Sequence, residues 1–381
     1  MRRLGIVSIL SILGVLFFFS CMHSPVVFDE MAWRNRVEEQ NTELLYAPHF
    51  EGGRYFNPWM PMEHGGPWRL LQWRLSRKAP YSDEEKNFSP QFIPDLSKRI
   101  RAMPEGDFIA WIGHSTFLLR VGGEYWITDP MFSERALLPK RTTPPAITGD
   151  ELRELTPRLH VLISHNHYDH LDADSIRSLP GDSRFYVPLG LKKMVESFHG
   201  GLVQELDWWQ EIDLGGGRKL VCLPAQHWSR RIGQDYNETL WASYLLMTPQ
   251  TSVYYGGDSG YFIGYREIGR RFPHIDYALL STTAYHPRWF MHYAHKNIPE
   301  ALQAFRDLGA KYFIPTQWGT FALGDEPPGF PALDLMRTIQ GENPDPSRFM
   351  ILHIGEILPL RQASSAGRIA KHVLATTSSH D

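Results

Sequence analysis

Cysteine is nearly absent: only Cys21 and Cys222 occur in 381 residues. Two thiols cannot staple a disulfide scaffold, so a chain of this length must rely on its hydrophobic core. Neither sign of charge dominates, with 39 Lys and Arg against 42 Asp and Glu and a formal net charge of -3. The basic footprint of a nucleic-acid binder is missing, and no nucleic-acid partner is expected. The high net charge of a disordered chain is missing too. No collagen-like, coiled-coil or repeat pattern occurs. What the chain has instead is 43% hydrophobic residues and an aromatic fraction of 13% with 12 Trp. That is enough for one large domain or two ordinary ones.

The first residues read as an export signal. Arg2 and Arg3 precede an apolar run over residues 4–19, followed by Ser20-Cys21. The run is shorter than the ~20 residues a spanning helix needs, and its order of charge, apolar stretch and small residue is that of a signal peptide over 1–20. A Cys at this spot resembles the lipobox of bacterial lipoproteins, although Phe18 stands where that box usually has Leu. The resemblance implies cleavage before Cys21, lipidation of its thiol, and attachment to a membrane of the bacterial cell envelope on its periplasmic or extracytoplasmic face. The alternative is an ordinary signal with a Cys near the cut. Cys222 then has no partner, and its apolar strand predicts a buried thiol.

Residues 21–90 show no clear period and are rich in aromatics, Gly and Pro, which suggests an irregular arm wrapped on a domain. From residue 108 short β-rich runs recur, each closed by a polar or Gly-containing turn. They cover 108–111, 116–121, 125–128, 159–164, 184–187, 219–223, 241–247, 252–256, 277–280 and 311–315. Helical patterns interleave at 174–179, 191–199, 265–272 and 299–308; in the last, Ala301, Leu302, Phe305 and Leu308 share one face. Strands alternating with helices point to a layered α/β domain over 91–361. The small, polar tail, 362–381, is expected to be disordered.

The chemistry concentrates in His165-Asn166-His167-Tyr168-Asp169-His170, directly after an expected strand. Alternate residues of an extended segment point the same way, so His165 and His167 can share one ion. Asp169 and His170 follow the turn and can face a second. Imidazole and carboxylate suit zinc, with iron or manganese as options. Burying such a cluster without a metal would strand polar groups at ~1–3 kcal/mol each. Two further donors follow strands: His227 in Pro224-Ala225-Gln226-His227-Trp228, and Asp258 in Gly256-Gly257-Asp258-Ser259-Gly260. Glycines around the Asp let backbone approach closely and free its carboxylate to bridge two ions.

His-x-His-x-Asp-His, a later His and a Gly-Asp turn, in that order, resemble the metallo-β-lactamase superfamily. Trp111-Ile112-Gly113-His114-Ser115-Thr116 and Thr128-Asp129-Pro130 fit the same pattern. Five longer stretches are similar to the N-acyl-phosphatidylethanolamine-hydrolysing phospholipase D branch. They are Phe56-Asn57-Pro58-Trp59, Pro224 to Trp228, Gly257-Asp258-Ser259-Gly260-Tyr261, Pro287-Arg288-Trp289-Phe290-Met291 and Trp318-Gly319-Thr320-Phe321. The likeness runs over about 54–355.

The resemblance implies an αββα sandwich with two zinc ions, one held by His165, His167 and His227, the other by Asp169 and His170, with Asp258 bridging. It assigns catalytic roles to Asp169 and Asp258, and places His295 of Tyr293-Ala294-His295-Lys296 near the substrate phosphate. Where the branch has His before Trp-Gly-Thr-Phe, this chain has Gln317, a weaker neutral ligand for the second ion. The implied activity is hydrolysis of a phospholipid phosphodiester by a metal-bound hydroxide. The alternatives are a lactonase or amidase on the same site, or a metal-binding lipoprotein without activity. The aromatic residues of 55–59 and 289–291 either line an acyl groove or belong to the core.

Overall fold

The computed structural model describes residues 27–62, 66–342 and 344–360. The expected signal segment with Cys21 and the expected tail lie outside the described residues. Two sheets carry the fold. The first holds seven strands in the order β15-β3-β4-β5-β6-β7-β8, and the second six in the order β14-β13-β12-β11-β10-β9. In the first sheet the strands are β3 (Phe108–Gly113), β4 (Thr116–Val121), β5 (Glu124–Thr128), β6 (His160–Leu162), β7 (Arg184–Pro188), β8 (Leu202–Leu206) and β15 (Ile357–Pro359). In the second they are β9 (Glu211–Gly215), β10 (Arg218–Leu223), β11 (Ser243–Met247), β12 (Ser252–Tyr255), β13 (Tyr277–Ser281) and β14 (Tyr312–Thr316).

Central strands such as β3 and β13 are buried along their whole length. Strands covered on both faces read as continuous apolar runs, and these do. One hydrophobic core joins side chains of both sheets, from Trp111 and Phe117 to Tyr244 and Leu279. Helices Gly264–Arg271 and Ile298–Leu308 pack on each other, and the latter on β13; Lys192–Phe198 covers β8. The result is the expected αββα sandwich. Helix Ile298–Leu308 begins at an Asn297–Glu300 capping box and ends at Gly309, whose φ of 62° closes a left-handed cap.

The segment before the domain is more regular than its lack of period suggested. It forms helices Glu30–Glu38, Gly66–Leu75 and Asp83–Asn87 and a two-stranded hairpin, β1 (Phe50–Glu51) with β2 (Arg54–Tyr55). Local caps explain part of this: Asp29 accepts from the amides of Met31 and Ala32, and Ser82 makes a capping box with Glu85. Trp33 and Val37 then bury against the domain.

Strand direction positions the site. β5 to β8 run parallel, as do β12 to β14, while β3 and β10 are each two antiparallel steps from a parallel neighbour. The C-terminal ends of β3, β5, β6, β10, β12, β13 and β14 therefore all meet one rim.

Candidate metal centre

Every donor singled out in the sequence sits on that rim. His165 Nε2 lies 2.8 Å from His167 Nδ1, and His227 Nε2 lies 3.2 Å from the same atom. Asp258 Oδ2 stands 3.9 Å from His165 Nε2 and 3.7 Å from His227 Nε2. A second group forms beside the first, with donor atoms of His114, Asp169 and His170 mutually within 4.8 Å. Asp258 Oδ2 is also 3.4 Å from His170 Nε2, so its carboxylate lies between the two groups.

The imidazoles are aimed by outer partners. Asp129, at the end of β5, bonds His170 Nδ1 at 2.6 Å, the Ser164 amide at 2.7 Å and the Tyr255 hydroxyl at 2.5 Å. Tyr255 belongs to the other sheet, so one buried carboxylate ties both sheets at the rim and leaves His170 Nε2 facing inward. His227 Nδ1 donates to the Ala294 carbonyl at 3.2 Å, which frees Nε2 for the site. Asn57 donates to the His227 carbonyl at 3.1 Å, and Trp59 Nε1 donates to Gln226 at 3.1 Å. The Asp258 turn is forced by contact: a Cβ on Gly257, whose φ is 53°, would lie 2.6 Å from Ser164 Cβ.

These residues fit a metal. His167 Nδ1 faces two imidazole nitrogens at hydrogen-bond distance, and one proton can serve only one of them; a cation serves all three. Burial holds His165 and His227 well below the ordinary imidazole range, so their lone pairs are free at neutral pH. Burial acts the other way on Asp258, but His170 outweighs it and keeps the carboxylate ionised. Neutral imidazoles converging on a carboxylate are the donor set of a divalent transition metal.

His295 is half-buried, its ring centroid 5.5 Å from that of His227, and its Nδ1 makes no hydrogen bond. Burial lowers its pKa. Gln317 follows β14 at a φ of 75°. Its Oε1 accepts from the Thr283 hydroxyl at 2.8 Å, and its Nε2 donates to Asp258 Oδ1.

Two residues of the site had no assigned role in the sequence. Asp129 and His114 stood inside recognised motifs, but single residues after a strand carry no signal of their own until the fold brings them to the cluster. Cys222 is free and buried, as its strand implied.

A groove of about 960 Å³ opens onto His167 and Asp169. Its apolar lining includes Trp73, Leu137, Leu138, Trp228, Ile232 and Leu323, and its cations are Arg74, Lys140, Arg230 and Arg231. Asp169 is the single carboxylate among its described lining residues. Neither aromatic stretch proposed for an acyl groove lines this one: Asn57 and Trp59 hold the His227 loop, and Phe290 stacks beneath Trp73 at 4.9 Å.

The sandwich and its His/Asp rim define a metal-dependent hydrolase of the metallo-β-lactamase kind. A family profile described as the Beta-lactamase superfamily domain matches residues 125–318. A Caenorhabditis elegans protein named N-acyl-phosphatidylethanolamine-hydrolyzing phospholipase D 1 is 32% identical over 271 residues, which cover 66% of this chain and 75% of that one. An uncharacterized Mycobacterium tuberculosis protein is 37% identical over 249 residues, 62% of this chain and 64% of its own. The Saccharomyces cerevisiae mitochondrial phospholipase D of the same name is 35% identical, but the match spans 57% of this chain and 48% of the yeast one. Among solved structures, a possible metal-dependent hydrolase from Veillonella parvula superposes with a TM-score of 0.56 at 16% identity, over 68% of this chain and all of that one. A metallo hydrolase from Ignicoccus hospitalis gives 0.53 at 19% identity, over 67% and 98%. The chain belongs to the metallo-β-lactamase superfamily, in its N-acyl-phosphatidylethanolamine-hydrolysing phospholipase D-like branch.

Proposed function

We propose that the protein is a zinc-dependent phosphodiesterase that cleaves a phospholipid, with His165, His167 and His227 holding one ion, Asp169 and His170 a second, and Asp258 shared. The observation that carries this reading is the groove, where four cations and an apolar lining meet at the donor cluster. An anionic phosphodiester with long acyl chains matches both features; a small neutral lactone uses neither. The names of the worm and yeast relatives support the same substrate class.

Two divalent ions supply an activated water and a clamp on a phosphoryl oxygen. The rest falls to the chain. Arg230 and Arg231 present positive charge beside His167 and draw an anionic head group to the cluster. The Arg231 guanidinium sits 3.9 Å over the Tyr168 ring and bonds the Asn166 and Leu171 carbonyls, so it also fixes the ligand loop. Neutral His295 carries one N–H beside His227 and can orient the phosphate by donating a hydrogen bond to one of its oxygens. Lipidated Cys21 would hold the enzyme at the membrane that contains its substrate.

The test is a panel on metal-loaded protein: an N-acyl phosphatidylethanolamine, phosphatidylcholine, a small chromogenic phosphodiester, a lactone and a β-lactam. Release of a phosphatidic acid from a phospholipid is expected, at a kcat/KM well above the lactone and lactam rates. Lactone turnover without phospholipid turnover would refute the phosphodiesterase reading, and no turnover on any substrate by fully metallated protein would make the chain a metal-binding scaffold.

A further inference from the structure

We infer that His114 is a ligand of the second ion, completing a set with Asp169, His170 and Asp258, and that Gln317 bonds Asp258 without touching the metal. The inference deepens the two-ion reading above. His114 is fully buried, and its Nε2 lies 3.0 Å from Asp169 Oδ2. Its donor stands within 4.8 Å of those of both Asp169 and His170. The His170 Nε2, aimed inward by Asp129, is 3.3 Å from the same Asp169 oxygen. Two imidazole nitrogens thus converge on one carboxylate oxygen, as beside them the Nε2 atoms of His165 and His227 approach Asp258 Oδ2 at 3.9 and 3.7 Å.

The backbone holds His114 in place at some cost. Its φ is 50°, a left-handed conformation that residues other than glycine adopt uncommonly. Three bonds enforce it: the His114 amide donates to Thr320 Oγ1 at 2.9 Å, and its carbonyl accepts from Trp111 Nε1 at 2.9 Å and from the Gln317 amide at 3.1 Å. Strain over-determined in this way is kept where a side chain must be aimed. Its Nδ1 has no hydrogen-bond partner among the described residues, so Nε2 alone sets the direction of the ring.

Gln317 cannot serve in its place. Only the amide oxygen of a Gln ligates a cation, and here that oxygen accepts from Thr283 while the amide nitrogen faces Asp258. Turning the amide over would set its oxygen against a carboxylate oxygen, so the network fixes the orientation. Two imidazoles and two carboxylates make a four-donor set of the kind zinc takes, and zinc can expand to five-coordinate when water or substrate joins. Position 317 can therefore lack the imidazole that the branch pattern implies while the second site stays intact.

Metal binding tests this without any substrate, so failure of the phosphodiesterase assay would not affect it. The full chain, stripped of metal, is titrated with zinc as parent, His114→Asn and Gln317→Ala. Asn tolerates the left-handed conformation and is too short to reach the ion, and retention of the first equivalent verifies the variant's fold. The parent should bind two equivalents. His114→Asn should weaken the second by roughly tenfold or more, and Gln317→Ala by clearly less. Cobalt-loaded parent should show a contact-shifted, exchangeable ring N–H from His114 that the Asn variant lacks; a ring that only hydrogen-bonds Asp169 gives no such signal. A parent binding one equivalent, an Asn variant binding the second as tightly as the parent, a Gln317→Ala loss as large as the Asn variant's, or identical cobalt spectra would each overturn the assignment.

Discussion

His165, His167 and His227 are kept uncharged by burial, with neighbouring imidazoles adding to it, while His170 is driven the other way. Burial opposes charge on His170 too, but Asp258, Asp169 and Asp129 outweigh it and raise its pKa. The difference follows from partners: carboxylates crowd the second group, imidazoles the first. His167 is the common neighbour in the first group, since its Nδ1 meets both other rings. His167→Ala should therefore remove the first metal equivalent and abolish hydrolysis, because a three-imidazole site loses the donor shared by the other two. Elemental analysis of the purified variant checks this, and full metal content with parental turnover would disprove the ligand assignment.

Among elements, what could be read from the sequence followed burial. Strands covered on both faces, such as β3, β6 and β12, were legible as apolar runs. β8 and β9 were not: each lies at a sheet edge, exposes alternate residues and interrupts its apolar side chains with Gln, Glu or Asp. Helix Gly149–Leu155 was missed although Thr148 and Glu151 form a capping box that the sequence spells out. Of the site, the clustering residue types and their spacing were legible because few other roles need three His and an Asp together; the places of His114 and Asp129 depended on how two sheets meet.

The loop before helix Phe330–Glu342 adds a pH dependence. Glu326 accepts from the Tyr285 and His286 amides at 3.1 Å each, and burial pushes it up from 4.5 to about 7. A raised acid binds its proton more tightly folded than unfolded. Its contribution is thus fully present below about pH 4.5 and lost as pH rises through 7. Glu326→Gln should gain on the parent across that window, by on the order of 3 kcal/mol, on top of a constant offset from the altered amide contacts. Urea unfolding of metal-free parent and variant at several pH values reads the difference, and a difference that stays flat with pH would contradict it.

At the scale of the whole molecule, none of the described helices is long and apolar enough to cross a membrane. The proposed lipid substrate calls for a surface or an anchor that meets it. The anchor prediction is direct: Cys21→Ser should abolish incorporation of a fatty-acid tracer, and equal labelling of parent and variant would end the lipoprotein reading. The surface prediction rests on the groove. Its two rims are the loops around 136–140 and 228–234, and each projects an apolar side chain into solvent: Leu138 is 75% exposed and Ile232 78%. Leu137 is exposed beside them, with Lys140 and Arg230 on the same loops. Exposed apolar side chains gathered in one patch mark an interaction surface, and cations beside them suit a phosphate layer. Burying one such side chain in acyl chains is worth ~1.5–3 kcal/mol, so Leu138→Asp with Ile232→Asp should cut kcat/KM on vesicle-borne phospholipid by roughly tenfold or more. A small soluble phosphodiester reaches the donors without those contacts, and its turnover should fall far less, with metal content equal to the parent's. An equal loss on both substrates would mean that the two loops shape the catalytic cluster itself and do not receive the lipid.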